Sequence, residues 1–101
     1  MIAALVLFHR ERSMGREEAV RAFETTAPRY RGLPGLHFKA YLHEPDGAVG
    51  GFYLFESREA AERLYTPEWR RTAAERYGVE PEIRYFDVPL TVDNGIGMAA
   101  V

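Results

Sequence analysis

The feature that most constrains this chain is a set of short segments that are apolar at both odd and even positions. Residues 2–8 read Ile-Ala-Ala-Leu-Val-Leu-Phe, and residues 52–55 read Phe-Tyr-Leu-Phe. Successive side chains of a β-strand point to opposite faces of its sheet. Such runs therefore predict strands that carry apolar side chains on both faces, and residues 82–88 continue the pattern.

Two other segments have the spacing of amphipathic helices. The first follows Ser13, its predicted N-cap, and carries an apolar stripe at intervals of four, four and three residues: Ala19, Phe23, Ala27 and Tyr30. Pro28 is expected to kink this helix or to end it early. The second segment is capped by Ser57, restarts at Thr66 and Pro67, and ends at Gly78.

Residues 36–56 between these helices read as a β-hairpin with a turn at residues 44–47. The first strand alternates two sets of side chains: Leu36, Phe38, Ala40 and Leu42, and His37, Lys39, Tyr41 and His43. Because the first set is apolar, we expect it to face the helices and the second set to face away from them.

The turn also predicts the register of this hairpin. Without a bulge, the cross-strand pairs are Lys39 with Tyr53, His37 with Phe55, and Tyr41 with Gly51. Glycines often mark bulges, so a bulge at Gly50 and Gly51 would instead shift this register.

The order of elements is β-α-β-β-α-β in 101 residues, which is enough for one domain. With right-handed crossovers this order predicts an α+β, ferredoxin-like fold: a four-stranded antiparallel sheet with both helices on one side and strands one and three in the middle. We assign residues 1–94 to this domain and expect a loosely ordered tail at residues 95–101.

Two helices can cover only one face of that sheet. The other face is also apolar, and an exposed apolar face of this size is unusual for a monomer. Packing two sheets face to face around a two-fold axis would cover it. The sequence therefore predicts a homodimer.

Charge and composition exclude several functions. The net charge of −2 and the pI of about 5.9 argue against nucleic acid, and an RNA-binding motif is missing from strand three at Ala48, Val49 and Gly50. The absence of cysteine excludes disulfides, thiolate catalysis and cysteine zinc sites. The apolar N-terminus is too short for a membrane span and lacks the features of a secretion signal, so we expect a cytoplasmic protein with no membrane partner.

The residues that face away from the helices are expected to line a space enclosed by the dimer. They are Leu7, His9, His37, Lys39, Tyr41, Tyr53 and Phe55. Aromatic and aliphatic walls with few polar groups are typical of a small-molecule site, although the same residues would also suit a plain dimer interface. Trp69 would either anchor its helical turn in the core or cap the cavity. The histidines lie too far apart to share a metal ion, so no metal site is predicted.

Three motifs resemble those of a known family. They are Leu33-Pro-Gly-Leu-His-Phe-Lys-Ala-Tyr41, Gly50-Gly-Phe-Tyr-Leu-Phe55 and Tyr85-Phe-Asp-Val88. In this order they resemble the YdhR-like monooxygenases, which belong to the dimeric α+β barrel superfamily together with the antibiotic-biosynthesis monooxygenases. The resemblance covers roughly residues 3–93.

The resemblance implies a homodimeric barrel with one pocket per subunit, between sheet and helices. The implied activity is oxidation of a small aromatic, phenolic or quinol-like compound by O₂, without flavin, haem or metal. Lys39 would then stabilise an enolate or superoxide-like anion, and Tyr41 would orient the substrate. Tyr53 and Trp69 would complete the pocket. His37 or His9 would be the base, because histidine titrates near neutral pH.

Two other functions stay open for this fold. A non-catalytic protein that binds an aromatic metabolite would have the same pocket but would need no base. Binding or degradation of haem is a weaker alternative, because none of the three histidines lies on a predicted helix. Oxygen uptake separates the first alternative from an enzyme, and the absorption of added haem tests the second.

Overall fold

The computed structural model describes residues 1–95. Its elements, in chain order, are β1 (Ile2–Phe8), α1 (Arg16–Thr26), a 3₁₀ turn (Ala27–Arg29), β2 (Leu36–His43), β3 (Val49–Phe55), α2 (Arg58–Leu64), α3 (Pro67–Tyr77) and β4 (Glu82–Asp87). The four strands form one sheet in the order β2-β3-β1-β4, and every neighbouring pair is antiparallel. The predicted α+β, ferredoxin-like fold with β1 and β3 in the centre is confirmed. The expected loose tail falls, apart from Gly95, outside the described residues.

The ends of the helices follow their local sequence closely. Ser57 Oγ accepts a hydrogen bond from Ala60 N at 3.1 Å, and Thr66 Oγ1 accepts one from Trp69 N at 3.1 Å. Gly78 ends α3 with a φ of 80°, a left-handed conformation that glycine adopts without strain. The predicted caps of the second helical segment are therefore confirmed.

The beginning of α1 differs from the prediction. The N-cap is Gly15, with an extended backbone and no side-chain cap, so the assignment of Ser13 as the N-cap is wrong. Pro28 does end α1 early, because the chain tightens into the 3₁₀ turn at Ala27–Arg29.

The core lies between the sheet and the helices. Among its largest fully buried side chains are Val6 from β1 and Val49 and Phe55 from β3. The helices add a set of buried residues to the same cluster: Ala19, Phe23, Ala60, Ala61 and Tyr77. Because all of these side chains meet on one side of the sheet, the three helices cover a single face, as predicted.

Strand β2 is oriented opposite to the prediction. Lys39 pairs with Tyr53 and Tyr41 with Gly51, as expected for the unbulged turn, but both Lys39 and Tyr41 face the helices. The bulge lies at His37, between Leu36 and Phe38, and not at the two glycines, so the expected pair of His37 with Phe55 is wrong and Leu36 pairs with Phe55 instead. As a result Leu36 packs against the core, while Phe38 turns to the outer face beside Phe52.

The face of the sheet that carries no helix is largely apolar, and we call it the outer face. Its side chains include Leu5, Leu7, Phe38, Ala40, Leu42, Phe52, Leu54 and Phe86. Phe38 is 38% exposed and Phe86 is 43% exposed, which is high for residues of this size. The homodimer that this face favours stays a prediction.

No helix within residues 1–95 has both the length and the apolarity needed to cross a membrane.

We predict that Gly50→Ala destabilises the fold by at least about 2 kcal/mol. A Cβ at Gly50 would lie 1.8 Å from the carbonyl oxygen of Val6 in the neighbouring strand, so the two central strands would have to separate. Urea unfolding followed by circular dichroism measures the loss. The control is Gly15→Ala, where an added Cβ meets no atom within 4 Å, and a similar loss in both variants would contradict the prediction.

Candidate functional site

One cavity of about 320 Å³ lies between the helical layer and the sheet. Its floor is formed by β2 and β3, one wall by the end of α1 and the 3₁₀ turn, and the opposite wall by α3. The lining residues include Thr26, Arg29, Tyr30, Lys39, Tyr41, Gly51, Tyr53, Trp69, Thr72, Ala73 and Arg76. We call this the main cavity.

The cavity depends on a glycine that leaves space on its floor and on a hydrogen bond that joins its two walls. Gly51 lies on the floor, where an added Cβ would come within 3.1 Å of Tyr53 Cε1 and 3.4 Å of Lys39 Cε. Above it, Trp69 Nε1 donates a hydrogen bond of 3.1 Å to the Tyr30 hydroxyl. This bond joins the two walls across the sheet, so the aromatic side chains frame the cavity rather than collapse into it.

The centre of the site is the ammonium group of Lys39. Its Nζ atom lies 3.4 Å from the centroid of the Tyr30 ring, 3.9 Å from that of Tyr41 and 4.5 Å from that of Tyr53. Aromatic faces attract cations, so the three rings stabilise Lys39 in this position when its amine is protonated. We call these three rings the tyrosine cage.

The charge of Lys39 is not compensated by an acid. Within residues 1–95 no carboxylate lies at ion-pair distance from its Nζ atom. Burial lowers the pKa of the Lys39 ammonium to about 6, because removal from water disfavours the charged form. At neutral pH the cavity therefore holds a largely uncharged amine, which has a lone pair and can accept a proton.

The cage tyrosines keep their own protons. Tyr41 is stacked on Phe23 at 4.6 Å between ring centroids, and its hydroxyl hydrogen-bonds Thr26 Oγ1 at 2.7 Å. Burial raises the pKa of Tyr41 to about 12 and also raises the pKa of Tyr53. Both phenols are therefore neutral at physiological pH, so neither supplies a negative charge to Lys39.

The rim of the main cavity is more basic than the protein as a whole. Arg29 and Arg76 line it together with one acidic residue, Glu68, and all three side chains are exposed. The chain has a net charge of −2, so a rim with two guanidinium groups and one carboxylate is a local excess of positive charge. Such a rim favours the approach of anions, although exposure to solvent limits its strength.

Four of the residues singled out in the sequence meet in this cavity. Lys39, Tyr41, Tyr53 and Trp69 all line it, although Lys39, Tyr41 and Tyr53 were assigned to the wrong face of the sheet. Phe55 faces the same side but does not line the cavity. It is fully buried beneath Tyr53, with the two rings stacked at 5.8 Å, and so supports the floor.

Leu7 and the candidate bases lie elsewhere. Leu7 lies on the outer face, as expected, but Lys39 faces the helices, so Leu7 does not line the same site as Lys39. His9 is exposed at the end of β1, where its Nε2 atom lies 3.1 Å from Glu82 Oε1. His37 stands at the bulge and lines a second hollow, of about 360 Å³, that shares Tyr30, Lys39 and Tyr41 with the main cavity.

None of the three histidines lines the main cavity. Within residues 1–95, moreover, no three histidine, aspartate or glutamate side chains cluster closely enough to hold a metal ion. Among the described residues that line the main cavity, Lys39 is therefore the one whose side chain can take up a proton near neutral pH.

Several lining residues were not singled out in the sequence. Tyr30 was recognised only as part of a helical stripe, and Thr26, four residues before it, lies on the same wall. On α3 the lining residues Trp69, Thr72 and Arg76 fall at spacings of three and four, which mark one face of a helix. This spacing is visible in the sequence, but it does not reveal that the face lines a cavity.

Comparison with known proteins gives matches in structure only. No protein-family model matches the chain, and no curated protein does. SnoaB, a cofactor-independent oxygenase from Streptomyces nogalater, matches with a TM-score of 0.64 and 19% identity over 90% of this chain and 95% of SnoaB. A monooxygenase from the gene ActVA-Orf6 of Streptomyces coelicolor, solved with nanaomycin D, has the same score and identity over 93% and 92% of the two chains.

A third structure, from Deinococcus radiodurans, is provisionally assigned as an antibiotic biosynthesis monooxygenase. It matches with a TM-score of 0.65 and 13% identity, over 92% of this chain and 97% of that one. Identities this low show a common fold and no more. The chain thus has the fold of the antibiotic biosynthesis monooxygenases, whereas the YdhR-like subfamily stays a prediction.

We predict that Lys39 makes the protein more stable as the pH rises from 7 to 9. The unfolded chain holds the lysine proton up to about pH 10.5, whereas the folded chain releases it near pH 6. Unfolding therefore takes up a proton within this range, and the free energy of unfolding increases with pH. Urea unfolding at several pH values measures the slope.

The variant Lys39→Met should lose this part of the slope, because it removes the group that titrates. Arg71→Met, which removes an exposed basic residue outside the cavity, is the matched control and should keep it. If the free energy of unfolding changes equally with pH in the wild type and in Lys39→Met, folding does not shift the pKa of the Lys39 amine.

Proposed function

We propose that this chain is a cofactor-independent monooxygenase that oxidises a small aromatic, phenolic or quinol-like compound with O₂. The reaction would take place in the main cavity, between sheet and helices. The observation that carries the proposal is Lys39: an amine without an acidic partner, held by three aromatic rings inside a cavity of ligand size. The fold shared with SnoaB, described as a cofactor-independent oxygenase, supports it.

Lys39 is proposed as the base, in place of His37 or His9. Its uncharged Nζ atom would take a proton from a phenolic hydroxyl group or from an activated C–H group of the substrate. The ammonium formed in this way would remain beside the substrate anion. Opposite charges attract strongly in a site shielded from water, so each of the two ions would stabilise the other.

The substrate anion would supply the electrons for O₂, and no external reductant is needed. In the overall reaction a ring CH₂ group becomes a carbonyl group. The substrate gains one oxygen atom and loses two hydrogen atoms, and the second oxygen atom leaves with those hydrogens as water. The four electrons that the carbon loses reduce the two oxygen atoms. The Lys39 ammonium would stabilise the negative charge that passes from the carbon to oxygen.

The walls of the cavity would bind and orient the ring of the substrate. Trp69 and the tyrosine cage present aromatic faces, against which a flat ring can pack with offset or edge contacts. The hydrogen bonds from Trp69 to Tyr30 and between Tyr41 and Thr26 fix these side chains before the ligand arrives. A rigid frame of this kind reduces the entropy that a bound substrate loses in reaching a reactive position.

We also propose that two copies of the chain pair through their outer faces. The exposed rings of Phe38 and Phe86, with the leucines of β1 between them, form an apolar surface suited to a sheet-on-sheet contact. A cytoplasmic location stays part of the same proposal. The main cavity lies on the opposite side of the sheet, so each subunit would keep its own site.

A protein that only binds an aromatic metabolite is the second candidate. The amine of Lys39 argues against a binding protein, because the binding of a neutral ring needs no group that takes up a proton. The two functions differ in oxygen uptake. A ligand that binds with micromolar affinity and is never oxidised above the uncatalysed rate would favour the binding protein.

We predict that purified, metal-stripped protein accelerates oxygen uptake by an anthrone or a naphthohydroquinone. The rate should rise with pH around a midpoint near 6, where the Lys39 amine loses its proton. Lys39→Met should lower kcat by about 10²- to 10⁴-fold, the usual loss when a positioned base is removed. An oxygen electrode measures the rates.

Two controls make this result specific. Lys39→Arg places a permanent positive charge in the cavity and cannot act as a base near neutral pH, so it should not restore the rate. Arg71→Gln changes an exposed residue outside the cavity and should leave kcat unchanged. Equal rates in the wild type and Lys39→Met would show that Lys39 takes no part in the reaction. If the protein accelerates oxygen uptake by neither anthrones nor naphthohydroquinones, the proposal that it is an oxygenase is wrong.

We predict that Phe52→Arg converts a dimer into a monomer. Phe52 lies on the outer face against Phe38, and two-fold symmetry would bring two buried charges into one interface. The dissociation constant should increase on the order of 100-fold or more. Light scattering at micromolar concentration measures the mass, with Phe52→Leu as the apolar control. A wild-type monomer at this concentration would reject the proposed dimer.

A further inference from the structure

Lys39 is unusual in the sequence as well as in the structure. The chain contains 13 lysine and arginine residues, and Lys39 is the only lysine among them. Arginine stays charged at any pH that a protein experiences, whereas lysine becomes a neutral amine when it is buried. The chain thus has one side-chain amine, and that amine lies in the main cavity rather than on the surface.

The Lys39 side chain lies between two spaces that a ligand could enter. Lys39 lines both the main cavity and the adjoining hollow, so its side chain is reached from two sides. Within residues 1–95 no carboxylate lies at ion-pair distance to hold the group as an ammonium. A neutral amine in an aromatic pocket is a nucleophile as well as a base.

We propose that Lys39 is a carbonyl-reactive site, where Nζ forms an imine with aromatic aldehydes or ketones that enter the main cavity. The aromatic walls favour a flat ring, and the volume of about 320 Å³ suits one of two fused rings. This activity needs no O₂ and is independent of the proposed oxygenase. It requires only that the Lys39 amine is accessible to the carbonyl compound and nucleophilic.

The step balances without a further reactant. The lone pair of Nζ attacks the carbonyl carbon, and a C–N single bond forms while the carbonyl oxygen becomes a hydroxyl group. That oxygen then leaves as water, taking the two hydrogen atoms of the amine, and the C=N bond remains. Nothing is oxidised or reduced, and water reverses the reaction.

The test uses 1-naphthaldehyde under nitrogen, with cyanoborohydride to reduce the imine to a stable amine. Intact mass gives the number of adducts, and peptide mapping gives their positions. Arg71→Lys supplies the matched comparison, because it places an ordinary exposed amine in the same folded chain without changing the cavity. The α-amino group of Met1 is followed separately in the N-terminal peptide.

We expect one adduct at Lys39, formed at pH 7 on the order of 100-fold faster than at position 71, because an ordinary lysine is almost entirely protonated at that pH. The rate should saturate with aldehyde concentration and have its midpoint near pH 6. In Lys39→Arg the cavity adduct should be absent, while the N-terminal peptide is modified as before.

Equal rates at the two positions would overturn the proposal, as would modification of Met1 alone. The adduct rate at Lys39 is measured in the wild-type protein, and the rate at position 71 is measured in a variant with a distant surface substitution. Neither measurement depends on whether a Lys39 variant folds. Loss of oxygen uptake with intact imine capture would reject the oxygenase alone, and the reverse result would reject this inference alone.

Discussion

The pleat of β2 is the constraint on which the site depends. The bulge at His37 sets it, because one extra residue there lets Leu36 pack into the core while Lys39 also points toward the helices. Without that residue, Leu36 and Lys39 would lie on opposite faces. The bulge therefore allows β2 to close the core at Leu36 and to line the cavity three residues later, at Lys39.

The helices cannot close over this part of the sheet. A long, polar-tipped side chain at position 39 and the missing side chain at Gly51 leave a space that α3 and the 3₁₀ turn after α1 span without filling it. The bridge is the hydrogen bond between Trp69 and Tyr30. Packing defects usually lower stability, but here the aromatic residues around the space pack against one another and confine the defect to a cavity.

The tyrosine cage and the burial of Lys39 act in opposite directions on its proton. A cation over an aromatic face gains about 0.5–2 kcal/mol, whereas removal of an ammonium from water costs several kcal/mol when no counterion replaces the water. Burial dominates, so the pKa falls to about 6. The cage still matters, because it offers the protonated form a place once an anion is bound nearby. The empty cavity thus favours the amine, and a cavity with a bound anion favours the ammonium.

Local signals explain why much of this fold could be predicted from the sequence. The caps at Ser57 and Thr66 and the glycine at position 78 act within one turn of helix, and the pairing of Lys39 with Tyr53 depends only on the hairpin turn. The faces of β2 depend on what covers each side of the sheet. Both sides are apolar, so hydrophobicity could not distinguish them, and His37 carries no sign of a bulge.

The corrected faces also change the relation between assembly and chemistry. With Lys39 and Tyr41 on the outer face, as the alternation in β2 predicts, only the pairing of two chains would enclose the site. With both residues beneath the helices, the cavity is built by a single chain, and the outer face needs another reason to be apolar. Association through that face would bury the rings of Phe38 and Phe86 and stiffen the sheet from behind. Its effect on the site would then pass through β2 and β3, whose backbone places Lys39 among its tyrosines, and not through any side chain contributed by a partner.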